Sequence, residues 1–148
     1  MVTRLVTAQF FALTVARVIL GIAFFAHGWQ KVFTLGLGNV ATNFDGAGVP
    51  LPTLSAWFAG LAELVGGALL IVGFAVPIVA VVLLVDMLGA IVTMHLGHGF
   101  FAPNGIELPL VLIAGLLAVA AVPHTSLGVD ALLLKKKALL AKNLEAAK

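Results

Sequence analysis

Four apolar runs, each near the length that crosses a lipid bilayer, divide this chain of 148 residues. They extend from Phe10 to Phe33, from Leu54 to Phe74, from Val76 to Met94 or a little beyond, and from Ile106 to Val122. A helix needs about 20 apolar residues to cross the hydrocarbon core. Lipid offers no partner to an open backbone group, so only helices and closed barrels span it, and these runs are too continuous for the alternation of barrel strands. The expected fold class is therefore all-α: a polytopic membrane protein, a four-transmembrane-helix bundle with a short basic C-terminal tail. Turn chemistry marks the breaks, with "NFDGAGVPLP" after the first run, "GFAVP" after the second and "GHGFFAPNG" before the fourth. Pro77 and Pro109 fall in first turns, where a missing N–H does no harm.

Composition agrees. Hydrophobic residues make up 62% of the chain and charged residues 9%, whereas a soluble domain carries about a quarter charged. Arg4 ahead of an apolar run has the outline of a signal peptide, but Arg17 inside the run and the lack of a small-residue cleavage site mark a retained helix. There is no cysteine, which excludes thiol chemistry, disulfides and thiolate metal sites on this chain. Five of the eight basic residues lie after residue 134, so the positive charge belongs to a tail and not to a nucleic-acid surface. With four spans both termini share one side. Arg4 and "KKKALLAK" (Lys135 to Lys142) assign that side to the cytoplasm. Leu132, Leu133, Leu139, Leu140 and Leu144 lie among those lysines; the pattern fits an amphipathic helix on anionic lipid, and equally a solvated helical tail.

Three charges lie inside the runs: Arg17, Glu63 and Asp86. Each costs at least about 2.5–3.5 kcal/mol if left alone at the bilayer centre. Counting along each helix gives them similar depth, so Arg17 is expected to pair with Glu63, Asp86 or both. If both acids meet one arginine, one of them can hold a proton, since adjacent carboxylates resist double ionisation. Gly60, Gly66 and Gly67 share a face with Glu63 and admit a close neighbour. On the first helix, Arg17, Gly21, Phe24, Gly28 and Lys31 form one narrow stripe expected to face the interior. The charges suit either a static pair that fixes helix register or the lining of a polar cavity or proton path.

A second polar group is expected toward the outer face: His27, Lys31, His95, His98 and Glu107. Their spacing matches no metal-ligand motif, and no metal is assigned. They fit an interfacial collar that binds water and headgroups, or donors for a quinone headgroup whose tail lies along Phe24, Phe25, Phe100 and Phe101. Glu107 also suits the first turn of a helix by its charge alone.

"ARVILGIAFFAHGWQKVF", with its His-Gly-x-x-Lys at His27, Gly28 and Lys31, resembles the first helix of the DoxX family. "GLAELVGGALLIVGF" is similar to that family's second-helix pattern of a glutamate followed by paired glycines, "HLGHGFFAPNGIELPLVLIAGLLAV" to its outer loop and fourth helix, and "SLGVD" to its end. The resemblance covers roughly residues 12–130 and departs at Leu108, where the family often has tyrosine. It implies a bacterial cytoplasmic (inner) membrane protein of four helices, its domain over 1–130; the lysine and leucine pattern beyond it reads as a basic amphipathic cytoplasmic tail over 131–148.

Some members of that family are subunits of thiosulfate:quinone oxidoreductase, and others are linked to membrane oxidoreductase assemblies that handle oxidative or thiol stress. The chain carries no flavin, haem or nucleotide motif. The expected role is a membrane subunit that binds quinone or anchors an oxidoreductase partner, with quinone its one candidate cofactor. The alternatives are a small proton-coupled transporter, and a non-catalytic assembly or structural protein. The partners expected are the lipid bilayer, an oxidoreductase subunit and further copies of the chain, with no nucleic acid.

Overall fold

The computed structural model describes residues 2–121 and 128–146. The end of the fourth apolar run at Val122, Ser126 and Leu127 of the family-like "SLGVD", and Lys148 at the end of the tail lie outside them. Among the described residues six α-helices occur in the order α1 (Val2–Trp29), α2 (Leu37–Gly46), α3 (Pro52–Val72), α4 (Val76–Ala90), α5 (Glu107–Ala120) and α6 (Val129–Ala146). Among the described residues there is no strand. Three helical stretches among the described residues are long and apolar enough to cross a membrane: Ala8–Leu35, Pro52–Val72 and Val76–His98. The fourth apolar run forms α5, which at 14 residues is shorter than a standard span.

Two of the long stretches change their winding at the same end. α1 passes into a π-helical segment, Gln30–Leu35. α4 does the same at Ile91–His95 and closes with a short tight turn, Leu96–His98. Such π segments within helices gather at functional sites. The residues between the first two runs also hold a helix that the glycines and asparagines of the segment conceal. α2 forms because Val40 is buried and Leu37 lies against Gly60 of α3. Tertiary packing outweighs the poor helix propensity of Gly38 and Gly46.

α1, α3, α4 and α5 pack in a ring, α1 touching α3 and α5, and α4 touching the same two from the opposite side; α2 rests on α3. The centre is apolar, with Phe24, Leu70, Leu83 and Leu116 fully buried. The outside is apolar as well: Ile19, Ile22, Val81, Val85, Val111 and Leu117 are exposed. Charges within the ring and hydrocarbon on its surface invert the pattern of a soluble bundle and suit a lipid solvent. Exposed Trp29, Phe33 and Trp57 gather at the end that carries the π segments, where aromatic residues mark a membrane interface.

The closest approach is between α1 and α3, and glycine makes it. A β-carbon on Gly28 would overlap the Leu64 backbone, and one on Gly67 would overlap that of Phe25. One on Gly21 would fall 2.8 Å from the Gly67 carbonyl oxygen. The two helices thus meet backbone to backbone along an antiparallel seam. The stripe Arg17, Gly21, Phe24 and Gly28 is buried, and Lys31 ends it half-buried.

Candidate functional site

The seam decides which charges meet. Gly28 lies against Glu63 and Leu64, so Lys31, one turn further along in the π segment that continues α1, has its β-carbon beside Gly60 of α3. Helix side chains lean toward their own N-terminus. Lys31 therefore leans back along α1 as Glu63 leans forward to meet it, because α3 runs the other way. The Lys31 ammonium donates to Glu63 Oε2 as a salt bridge. Glu63 is 3% exposed and Asp86 8%.

α4 brings the third member. Leu83 packs into the space left by Gly66, and Asp86 follows one turn later on the same buried face. There the Asp86 carboxyl lies beside Glu63 and near Lys31. The lysine side chain is 22% exposed against 5% for the glutamate, so the cluster opens on the lysine side, toward the end with the π segments.

Arg17 is not the cation at this cluster, which corrects the expected pairing with Glu63 or Asp86. It is buried, at 7% exposure, but its guanidinium lies at the far end of α3, where a β-carbon on Gly73 would overlap it. The reason is the same lean. A long side chain on α1 swings toward the α1 N-terminus, away from mid-helix Glu63 and toward the α3 C-terminus. Gly73 ends α3 in the left-handed conformation, with Phe74 N–H bonded to Leu69 O and Gly73 N–H to Leu70 O. A cation is favourable beside such a carbonyl end. The charge of Asp130, at the start of α6, also acts on Arg17.

The second expected group is divided. Lys31 is bonded inward. His95 Nδ1 donates to the Asn104 carbonyl at 2.7 Å, and His98 Nδ1 to the Met94 carbonyl at 3.1 Å, which fixes the protonated nitrogen of each ring. Glu107 Oε2 accepts from the Ala102 N–H at 3.1 Å. These three side chains stitch the segment 94–107 over the start of α5. His27 is half-buried on α1, one turn before Lys31. Among the described residues no three His, Asp or Glu side chains converge on a metal-binding geometry. Outside the ring, α3 and α4 enclose an open apolar groove of about 590 Å³, lined in part by Leu54, Trp57, Phe58, Leu61, Val65 and Ile78.

A helical bundle with an apolar exterior and charged groups within its ring defines a multi-pass membrane protein. The chain belongs to the DoxX family, whose pattern matches residues 12–96 and so takes in α1, α3 and α4 with all three cluster residues. It is similar to the Bacillus subtilis (strain 168) protein named "Putative oxidoreductase CatD", 35% identical over 103 residues that cover 70% of this chain and 74% of that protein. It is also 37% identical over 83 residues to the Mycobacterium tuberculosis (strain ATCC 25618 / H37Rv) protein named "Uncharacterized membrane protein Rv3486", covering 54% of this chain and 48% of that protein. The chain thus spans about half the length of the second relative. No solved structure matches it.

Proposed function

We propose that the chain is a bacterial inner-membrane subunit associated with a quinone-linked oxidoreductase or stress-response membrane complex. In this reading four helices, α5 included, span the membrane, both termini face the cytoplasm, and a domain over 1–130 carries the site ahead of the basic tail. One observation supports the reading above all. Lys31, Glu63 and Asp86 form a buried cation–carboxyl–carboxyl cluster inside an apolar ring, open on the lysine side. Quinone reduction consumes protons, and two carboxyl groups beside a lysine are groups that can relay them. A relative named as an oxidoreductase points the same way.

The donor set fits a quinone. Its two carbonyl oxygens need N–H groups, which Lys31 and His27, one turn apart, can supply. The groove between α3 and α4 offers apolar surface for an isoprenoid tail. The electron donor belongs to the partner subunit. The test is gentle purification from the native membrane, followed by extraction and identification of bound quinone and protein. We expect quinone and an oxidoreductase subunit to accompany the chain, and His27→Ala and Lys31→Ala to lower the quinone content. Recovery of neither refutes the proposal.

A second reading, proton-coupled transport, is favoured by the position of Glu63 near the middle of α3. It predicts pH-gradient-driven flux in proteoliposomes of the chain alone.

A further inference from the structure

α6 holds 18 residues and lies outside the ring. Leu132, Leu133, Leu139, Leu140 and Leu144 are all exposed on it, with no bundle helix packed over them among the described residues. By the helical period these five occupy one side. Lys135 and Lys142 flank that side on one border and Lys137 on the other, while Lys136 and Asn143 stand within it, where a lysine stem lies along apolar surface and its ammonium reaches out. Ala131, Leu134, Ala138 and Glu145 face away.

The root of α6 is fixed at a membrane boundary. Residues Gly73–Ala75 join two helices that each cross a membrane by length and composition, so this turn lies at the surface. The Asp130 N–H donates to the Gly73 carbonyl at 3.1 Å. A β-carbon on Gly128 would fall 2.8 Å from Arg17 Nη1 and 3.0 Å from the Gly73 carbonyl oxygen. Arg17, Gly73, Gly128 and Asp130 thus form one joint that holds the first turn of α6 against the turn between α3 and α4.

We propose that α6 is a surface helix lying on this membrane face, its leucine side in the acyl boundary and its lysines against anionic phospholipid headgroups. The occupant follows from position and charge. The joint begins the helix at headgroup level, the leucine side is flanked by cations, and such a helix binds a negatively charged lipid surface. The inference is independent of the oxidoreductase reading.

The chain lacks cysteine, so single labels are clean. Nitroxides are placed at Leu140→Cys on the leucine side and at Ala138→Cys opposite, in the full chain reconstituted into phosphatidylcholine vesicles with and without phosphatidylglycerol. With phosphatidylglycerol, the label at 140 is expected to collide with oxygen and be shielded from a water-soluble nickel complex, and the label at 138 to behave in the opposite way. Omitting phosphatidylglycerol, or replacing Lys135, Lys136, Lys137 and Lys142 by Gln, is expected to reduce the immersion at 140. An unchanged signal from a label at Val65→Cys on α3 confirms that the bundle is intact. Equal exposure of both sides to nickel, immersion indifferent to phosphatidylglycerol, or strong spin coupling between labels at 140 on two copies would each overturn the proposal.

Discussion

Lys31 and Glu63 depend on each other because the glutamate, 5% exposed, has no water to fall back on, while the lysine keeps 22% of its side chain exposed. Glu63→Gln leaves an ammonium facing a neutral amide, and Lys31→Met leaves two carboxyl groups with no cation. Removing one partner of a buried pair typically costs about 3–5 kcal/mol, while replacing the pair by neutral groups of similar volume is often close to neutral. Each single variant should therefore lower the thermal midpoint in detergent, and Lys31→Met with Glu63→Gln together should recover most of the loss. Additive losses would show that the two side chains do not act as a pair. The presence of a costly carboxylate was legible in the sequence, since an acid among glycines in an apolar run needs a partner. Which cation meets it was not. Depth counted along separate helices made Arg17 and Glu63 level, but the glycine seam and the direction in which long side chains lean assign Glu63 to Lys31 and Arg17 to Gly73. Asp130 gave no signal, because only the return of α6 to the Gly73 turn brings it near.

At the scale of elements, the interior stripe of α1 was readable because the helical period alone fixes which residues share a face. The register between α1 and α3 then rests on a few glycines. Gly28→Ala should separate the helices and break the Lys31–Glu63 bridge, since the added carbon meets Leu64 backbone and no flexible side chain can yield. Gly38→Ala on α2 is the contrast. Nothing lies within 4 Å of that position, so the change should stabilise by up to about 1 kcal/mol through helix propensity. Thermal unfolding of both variants checks the pair of outcomes; equal effects would remove the seam from the account. α2 itself escaped the sequence because its burial against α3 is tertiary. The π segments escaped because their altered winding leaves no mark in an apolar run.

For the whole molecule, the apolar exterior and the aromatic residues at one end specify a membrane protein, and the proposed orientation rests on the lysine-rich tail. Cysteines at Asn43 and Asn104 should react with an impermeant reagent from outside intact cells, and one at Lys148 should not. Reversed labelling would invert the orientation and move the lysine side of the cluster to the cytoplasmic face.

The central claim is that Lys31, Glu63 and Asp86 do work that packing alone does not require. The most direct measurement takes the quinone-linked complex proposed above and compares its quinone reduction with the wild-type chain and with Lys31→Met and Glu63→Gln together, a combination expected to fold. The account predicts that the double variant assembles at wild-type levels and that quinone reduction is lost. Reduction at the wild-type rate by a fully assembled double variant would contradict it and leave the cluster a structural pair.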